Sequence, residues 1–220
     1  MVSSTSRFES AGVGTGTTYS ACVTDAIIDL SHFNINPNFA AAKSAGILGV
    51  IHKATQGTAF TDPAYALHRE AALAAGLWWG AYHFGDGTDG AAQADYFLNA
   101  TGPTRPALLA LDFEPNPEGP SMTLDQARDF VTRVQAVTAR WPGLYGGAYV
   151  KQLMGNAQDP VLGNCWLWLA EYGATAVTPA TWSAWTLWQY TSSAMVGGIG
   201  RCDRSRFNGS VVELQAFFTR

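Results

Sequence analysis

The chain has 220 residues, 47% of them hydrophobic and 14% charged, with a formal net charge of -4. That is enough apolar material for one sizeable core, and with no basic footprint neither a nucleic acid nor an anionic membrane surface is expected as a partner. No run of about 18 apolar residues supplies a membrane span. Residues 1–25 form a polar arm rich in Ser, Thr and Gly without the apolar core of a secretory signal, so the ordinary export route is not expected from them. The remainder, 26–220, reads as a single globular domain, expected to be a monomer.

From Ala26 onward, short apolar runs alternate with amphipathic stretches, the pattern of βα units around a parallel sheet. Strands are predicted at Ala26–Leu30, Leu48–Lys53, Leu77–Phe84, Ala107–Phe113 and Leu144–Tyr149. The clearest helix starts at Thr123, which makes a capping box with Gln126. Phe130, Val134, Val137 and Trp141 follow at helical spacing until Pro142 and Gly143 stop it. Past Tyr149 the texture changes: Trp166–Glu171, Trp185–Tyr190 and Cys202–Phe207 read as strands with little room for helices between them. An amphipathic helix over Ser210–Phe218 closes the chain. The fold class is therefore α/β, an irregular TIM-like barrel of eight strands and about five helices, (β/α)5(β)3.

Functional residues of such barrels sit at the C-terminal ends of strands, and acidic residues recur there. Asp29 ends the first strand, Asp112 and Glu114 end the fourth, Glu171 ends the sixth and Asp203 lies in the last. Any one of them has an ordinary alternative as a helix or loop cap. Asp112 and Glu114 are different, because positions i and i+2 of a strand project from one face. Two adjacent carboxylates raise one another's pKa, so that one stays protonated while its neighbour ionises. Glycosidic bond cleavage requires that combination: a proton for the leaving oxygen and negative charge beside an oxocarbenium-like centre.

The aromatic residues include Trp78, Trp79, Tyr82 and Phe84 in the third strand and Trp185, Trp188 and Tyr190 in the seventh. Most are expected in the core, while those at strand ends suit a sugar-stacking platform. His32, His52, His68 and His83 form no HxH or HExxH grouping, so no metal site is expected from them, although His52 or His83 would be able to reach Asp29 or Asp112 across a barrel mouth. Cys22, Cys165 and Cys202 read either as three isolated thiols or as one disulfide, with Cys22 and Cys202 expected to be close because strands one and eight of a closed barrel are neighbours.

The ordered motifs resemble the family 25 glycoside hydrolases, the Chalaropsis-type lysozymes, over roughly Ala26 to Gly209. They are Ile28-Asp29-Leu30-Ser31, Lys53-Ala54-Thr55-Gln56-Gly57 with Asp62-Pro63, Gly80-Ala81-Tyr82-His83-Phe84, and Leu111-Asp112-Phe113-Glu114. Leu167–Tyr172, Leu187-Trp188-Gln189-Tyr190 and Asp203 ahead of Phe207-Asn208-Gly209 follow in the same order. The resemblance implies an N-acetylmuramidase that cuts the β-1,4 bond between N-acetylmuramic acid and N-acetylglucosamine, with the peptidoglycan glycan strand as partner, no cofactor, and the cell wall as its place of action. It also implies roles: Glu114 as general acid then base, Asp112 steadying the acetamido group or the developing charge, and Asp29 and Asp203 completing an acidic floor. Tyr82 and Trp188 are the expected substrate contacts. The chain departs from the family pattern at His52, Gln56, Ser205 and around Phe33-Asn34, none of which touches the four carboxylates.

Two other classes remain open at this point. One is an inactive barrel that only binds amino-sugar polymers; the other is a metal-dependent deacetylase or amidase. Within the enzyme reading, a retaining substrate-assisted route is expected, with direct attack by Asp29 or Asp203 as the alternative.

Overall fold

The computed structural model describes residues 22–102, 106 and 108–219. Strands β1 (Thr24–Leu30), β2 (Gly49–Gln56), β4 (Trp78–Phe84), β5 (Leu108–Asp112), β6 (Gly143–Gly146), β7 (Trp166–Ala170), β8 (Leu187–Val196) and β9 (Gly200–Phe207) form one barrel. A two-residue strand, β3 (Phe60–Thr61), hooks antiparallel onto the end of β2. Pairing is parallel from β1 through β2 and β4 to β8, while β9 runs antiparallel to both β8 and β1 and closes the ring. Five helices lie between strands: α1 (Phe39–Ser44), α2 (Tyr65–Ala74), α3 (Gly90–Thr101), α4 (Leu124–Thr138) and α5 (Ala148–Met154). The expected irregular barrel with five βα units and three further strands is what forms, and α6 (Val211–Thr219) ends the chain.

The strands alternate faces, which divides the apolar residues into two cores. Ile28, Val50, Ala81, Leu111, Leu144 and Leu167 point outward and pack under the helices, whose buried faces include Phe97, Phe130 and Val134. Ile27, Ile51, Leu108, Ala110, Trp168, Leu187 and Phe207 fill the barrel itself, together with Leu214, Phe217 and Phe218 of α6. That helix plugs the end of the barrel where the parallel strands begin: the ring of Phe218 stacks on Trp78 at 5.9 Å and that of Phe217 meets Trp166 edge-on at 5.0 Å. A Cβ at Gly49 would lie 2.6 Å from the Phe218 ring, so a side chain there would push the plug out. With one end sealed, a ligand enters from the other, where the strand-end acids are.

Local signals hold with adjustments. The Thr123–Gln126 capping box is present, but α4 stops at Thr138, where Ala139 turns left-handed (φ 58°), three residues before Pro142. Trp141 thus lies beyond the helix. β1 begins at Thr24, so the last residues of the polar arm belong to the barrel; residues 1–21 and the strand-start expected at Ala107 lie outside the described residues. The pairing of Cys22 with Cys202 is corrected: all three cysteines are free. The strands are neighbours as expected, but the antiparallel register sets Thr24 against Phe207 and Asp29 against Asp203. Cys22 and Cys202 therefore stand at opposite ends of the β1–β9 pair, about 25 Å apart at the usual rise of a strand.

Candidate active site

Tyr82, Asp112, Tyr145, Trp168, Gln189, Asp29 and Asp203 come from the inward-facing positions of seven different strands and converge on one cavity of about 200 Å³, with Glu114 and Tyr172 at its edge. Glu114 follows β5 by two residues and keeps its alternation, because Phe113 still donates its backbone N–H to Tyr145 at 2.9 Å. Asp203 reaches the same level from the start of β9 because that strand runs the opposite way. Thus the four carboxylates singled out from the sequence meet in one place.

Their environment favours the protonated forms. Burial raises the pKa of Asp112 well above the usual carboxylate value, Glu114 adds to this by repulsion, and Lys53 opposes it. Asp29 is pushed up by burial and then by Asp203, against a hydrogen bond from Gln189. Burial and Asp203 raise Glu114, and burial raises Asp203. Four groups in this state do not ionise together, so the cluster keeps a proton at a pH where an isolated carboxyl has lost it. Asp112 Oδ1 is buried and has no hydrogen-bond partner among the described residues. A buried acceptor in that condition is costly unless something fills it.

Gln189 ties the floor together. Its amide nitrogen donates to both oxygens of Asp29 at 3.1 Å, and its carbonyl accepts the hydroxyls of Tyr145 and Tyr172, each at 2.9 Å. Trp168 donates its indole N–H to Ser205 at 3.0 Å. Tyr82 lines the cavity and meets Trp168 edge-on at 6.4 Å. Trp188 does not line it, which corrects the expected substrate contact. Its ring lies on the outer face of β8, donates to the Glu171 carbonyl at 2.7 Å and is covered by the Arg206 guanidinium at 5.2 Å. Among the described residues no α-helix lies between β7 and β8 or between β8 and β9, and the aromatic rings themselves cover this side of the barrel.

Sequence reasoning missed Tyr145, Trp168, Tyr172 and Gln189. The signal for Gln189 was a lone amide inside Leu187-Trp188-Gln189-Tyr190; for Tyr145 and Trp168 it was in-register alternation with Asp112. His52 and His83 face outward, away from the acids. His52 contacts the Lys53 carbonyl and His68, and His83 lies between Thr55 and Gln93. Among the described residues no group of three His, Cys, Asp or Glu side chains is placed to hold a metal ion. Glu171 is held apart from the cavity by Lys151 at 2.9 Å and the backbone N–H of Val177 at 2.7 Å.

An α/β barrel sealed at one end and floored with buried carboxylates at the other has the groups that a glycoside hydrolase uses. The family model of the glycosyl hydrolases family 25 matches residues 28–199, and the chain belongs to that family. It is 35% identical over 204 residues to lysozyme M1 of Streptomyces globisporus, covering 86% of this chain and 69% of that one. It is 33% identical over 209 residues to the N,O-diacetylmuramidase of a Chalaropsis species, with 87% and 97% covered. A bacterial lysozyme structure from Streptomyces coelicolor superposes with a TM-score of 0.80 at 33% identity, covering 91% of this chain and 98% of the other.

Proposed function

We propose that the protein is a retaining N-acetylmuramidase that cuts the β-1,4 bond between N-acetylmuramic acid and N-acetylglucosamine in peptidoglycan, acting alone on glycan strands at the cell wall. The observation that carries this reading is the buried, unpartnered Asp112 Oδ1 in a cavity that also holds Glu114. An acetamido N–H is a donor of the size and polarity that this acceptor lacks, and the sugars on both sides of the bond carry one.

In the proposed reaction Glu114, whose pKa is raised by burial, protonates the glycosidic oxygen as the bond to the anomeric carbon breaks. The acetamido oxygen of the muramic acid attacks that carbon from the other face, giving a cyclic oxazolinium ion. Asp112 accepts the acetamido N–H and stabilises the positive charge that develops. Glu114, now ionised, takes a proton from the water that opens the ring, so configuration is retained. Asp29 and Asp203 supply negative potential beneath the oxocarbenium-like centre, and Tyr82 contacts the sugar. The relatives named above as lysozyme and muramidase support the substrate class.

Mass spectrometry of digested, purified peptidoglycan tests this. Fragments with reducing-end muramic acid are expected; fragments with reducing-end glucosamine, or deacetylated but uncut strands, would reject it.

A further inference from the structure

A second, larger cavity, of about 520 Å³, adjoins the acid pit on the same barrel face. We propose that it binds the acidic stem peptide attached to the muramic acid, with Lys53 as the carboxylate receptor and Phe33, Phe60 and Phe84 as an apolar wall. This rests on the muramidase reading and adds to it a contact outside the sugar rings.

Continuity is the first argument. Phe84 is the direct register partner of Asp112 across β4 and β5, and the segment that carries Asp112 and Glu114 into the pit supplies Asn116 and Glu118 to the rim of this cavity. A substituent leaving the sugar above Asp112 on that side enters it without crossing the barrel.

The second argument is charge. The Lys53 ammonium is half-buried, donates to Gln56 Oε1 at 2.6 Å, and lies 4.9 and 5.6 Å from the ring centres of Phe84 and Phe60. An ammonium has three donors, so Gln56 leaves capacity for an incoming acceptor. Burial lowers its pKa while the Asp112 charge raises it. The glycan itself offers this cation no counter-charge: both N-acetylated sugars are neutral once the lactyl group is amide-linked, and the carboxylates of the polymer are on the stem. The exposed rings of Phe33 (79%) and Phe60 (39%) suit the lactyl and alanyl methyl groups that precede the first acidic residue. Glu118, at the rim, suits the ammonium of a diamino acid further along.

Isothermal titration at low salt with N-acetylmuramoyl-L-alanyl-D-glutamate and with its diamide tests the proposal. The wild type is expected to bind the acid about tenfold more tightly than the diamide, the scale of one charge-assisted hydrogen bond. Lys53→Met should erase that preference and Lys53→Arg should keep most of it, while Phe33→Ser, at an exposed position, should weaken both ligands alike. No preference in the wild type, or a preference that survives Lys53→Met, overturns the assignment. Failure of the wild type to cut intact strands would count against the muramidase reading and is a separate result, since the titration requires no cleavage.

Discussion

Gln189 holds Asp29 through both carboxylate oxygens at 3.1 Å, and its own orientation is set by two tyrosine hydroxyls donating to its carbonyl. This orientation of the amide is the favoured one because, turned over, its oxygen would confront the oxygens of Asp29. A donor locked toward Asp29 favours the ionised form of that group, against the burial and the Asp203 repulsion that raise its pKa. The Gln189 bond opposes, without overcoming, the burial and the Asp203 charge that favour a proton on Asp29.

Gln189→Glu should break this arrangement, since it exchanges the donor for a fifth carboxyl. We expect activity on cell walls to fall about 100-fold and the pH optimum to move to lower pH, where the added carboxyl is protonated and can donate again. Tyr172→Phe, at an exposed position, removes one of the two anchors and, by loosening the donor that favours ionised Asp29, should shift the profile slightly toward higher pH. An unchanged pH profile in both variants would reduce Gln189 to a packing residue.

Glu114→Gln should abolish cleavage while leaving the fold intact, because the amide matches the acid in shape but delivers no proton. Loss of general acid–base catalysis is worth about 100- to 10,000-fold. Turbidity loss of cell walls measured beside circular dichroism decides it. A folded variant with more than about half the wild-type activity would remove Glu114 as the acid.

Much of this site was legible in the sequence because both of its signals are periodic. Asp112 and Glu114 share a face by spacing alone, and the apolar runs located all eight barrel strands. What was not legible was phase. In β8 the aromatic residues suggested that Trp188 faced the ligand, whereas the register with β7 and β9 sends Leu187 and Gln189 inward and leaves Trp188 outside. Cys22 and Cys202 failed similarly: adjacency of β1 and β9 follows from closure, but their direction does not. The two-residue β3, too short for any period, left no trace, and it brings Phe60 to the second cavity.

Stability should fall as pH drops from neutral, through the buried histidines. His52 donates Nδ1–H to the Lys53 carbonyl, which leaves Nε2 to accept from His68, and burial lowers its pKa to about 4. His83, between Thr55 and Gln93, is also lowered to about 4 by burial. Both bind a proton more readily unfolded than folded, so their contribution is complete above the unfolded value of about 6.5 and is lost progressively toward pH 4. The loss approaches roughly 3 kcal/mol for each. The raised carboxylates act with the opposite sign: their ionisation costs stability at neutral pH, and that cost disappears as they protonate. Asp112→Asn is therefore expected to raise the melting temperature at pH 7 and to lose that advantage near pH 4. Calorimetry of both proteins across this range checks the two signs independently.

The final prediction concerns the nucleophile. Asp112 and Glu114 lie two positions apart on one strand, whereas the acid and nucleophile of a direct-displacement retaining pair flank the bond from opposite sides at about 5 to 5.5 Å. A same-face neighbour of the acid is badly placed for backside attack but well placed to hold an acetamido group by its N–H, which is the contact that Asp112 Oδ1 lacks. Asp29 and Asp203 approach from other strands, but the first is occupied by Gln189 through both of its oxygens. Substrate assistance therefore makes two demands. Proton NMR of the first-formed product should show the β configuration, and a thiazoline analogue of the cyclised muramic acid should inhibit competitively, binding more tightly than the product sugar because it resembles the strained intermediate. Replacing the acetamido group of a soluble substrate with a free amine should cost at least as much rate as Glu114→Gln. An α-configured first product, or a glycosyl ester isolated on Asp29, Asp112 or Asp203, would falsify substrate assistance and leave the bond specificity untouched.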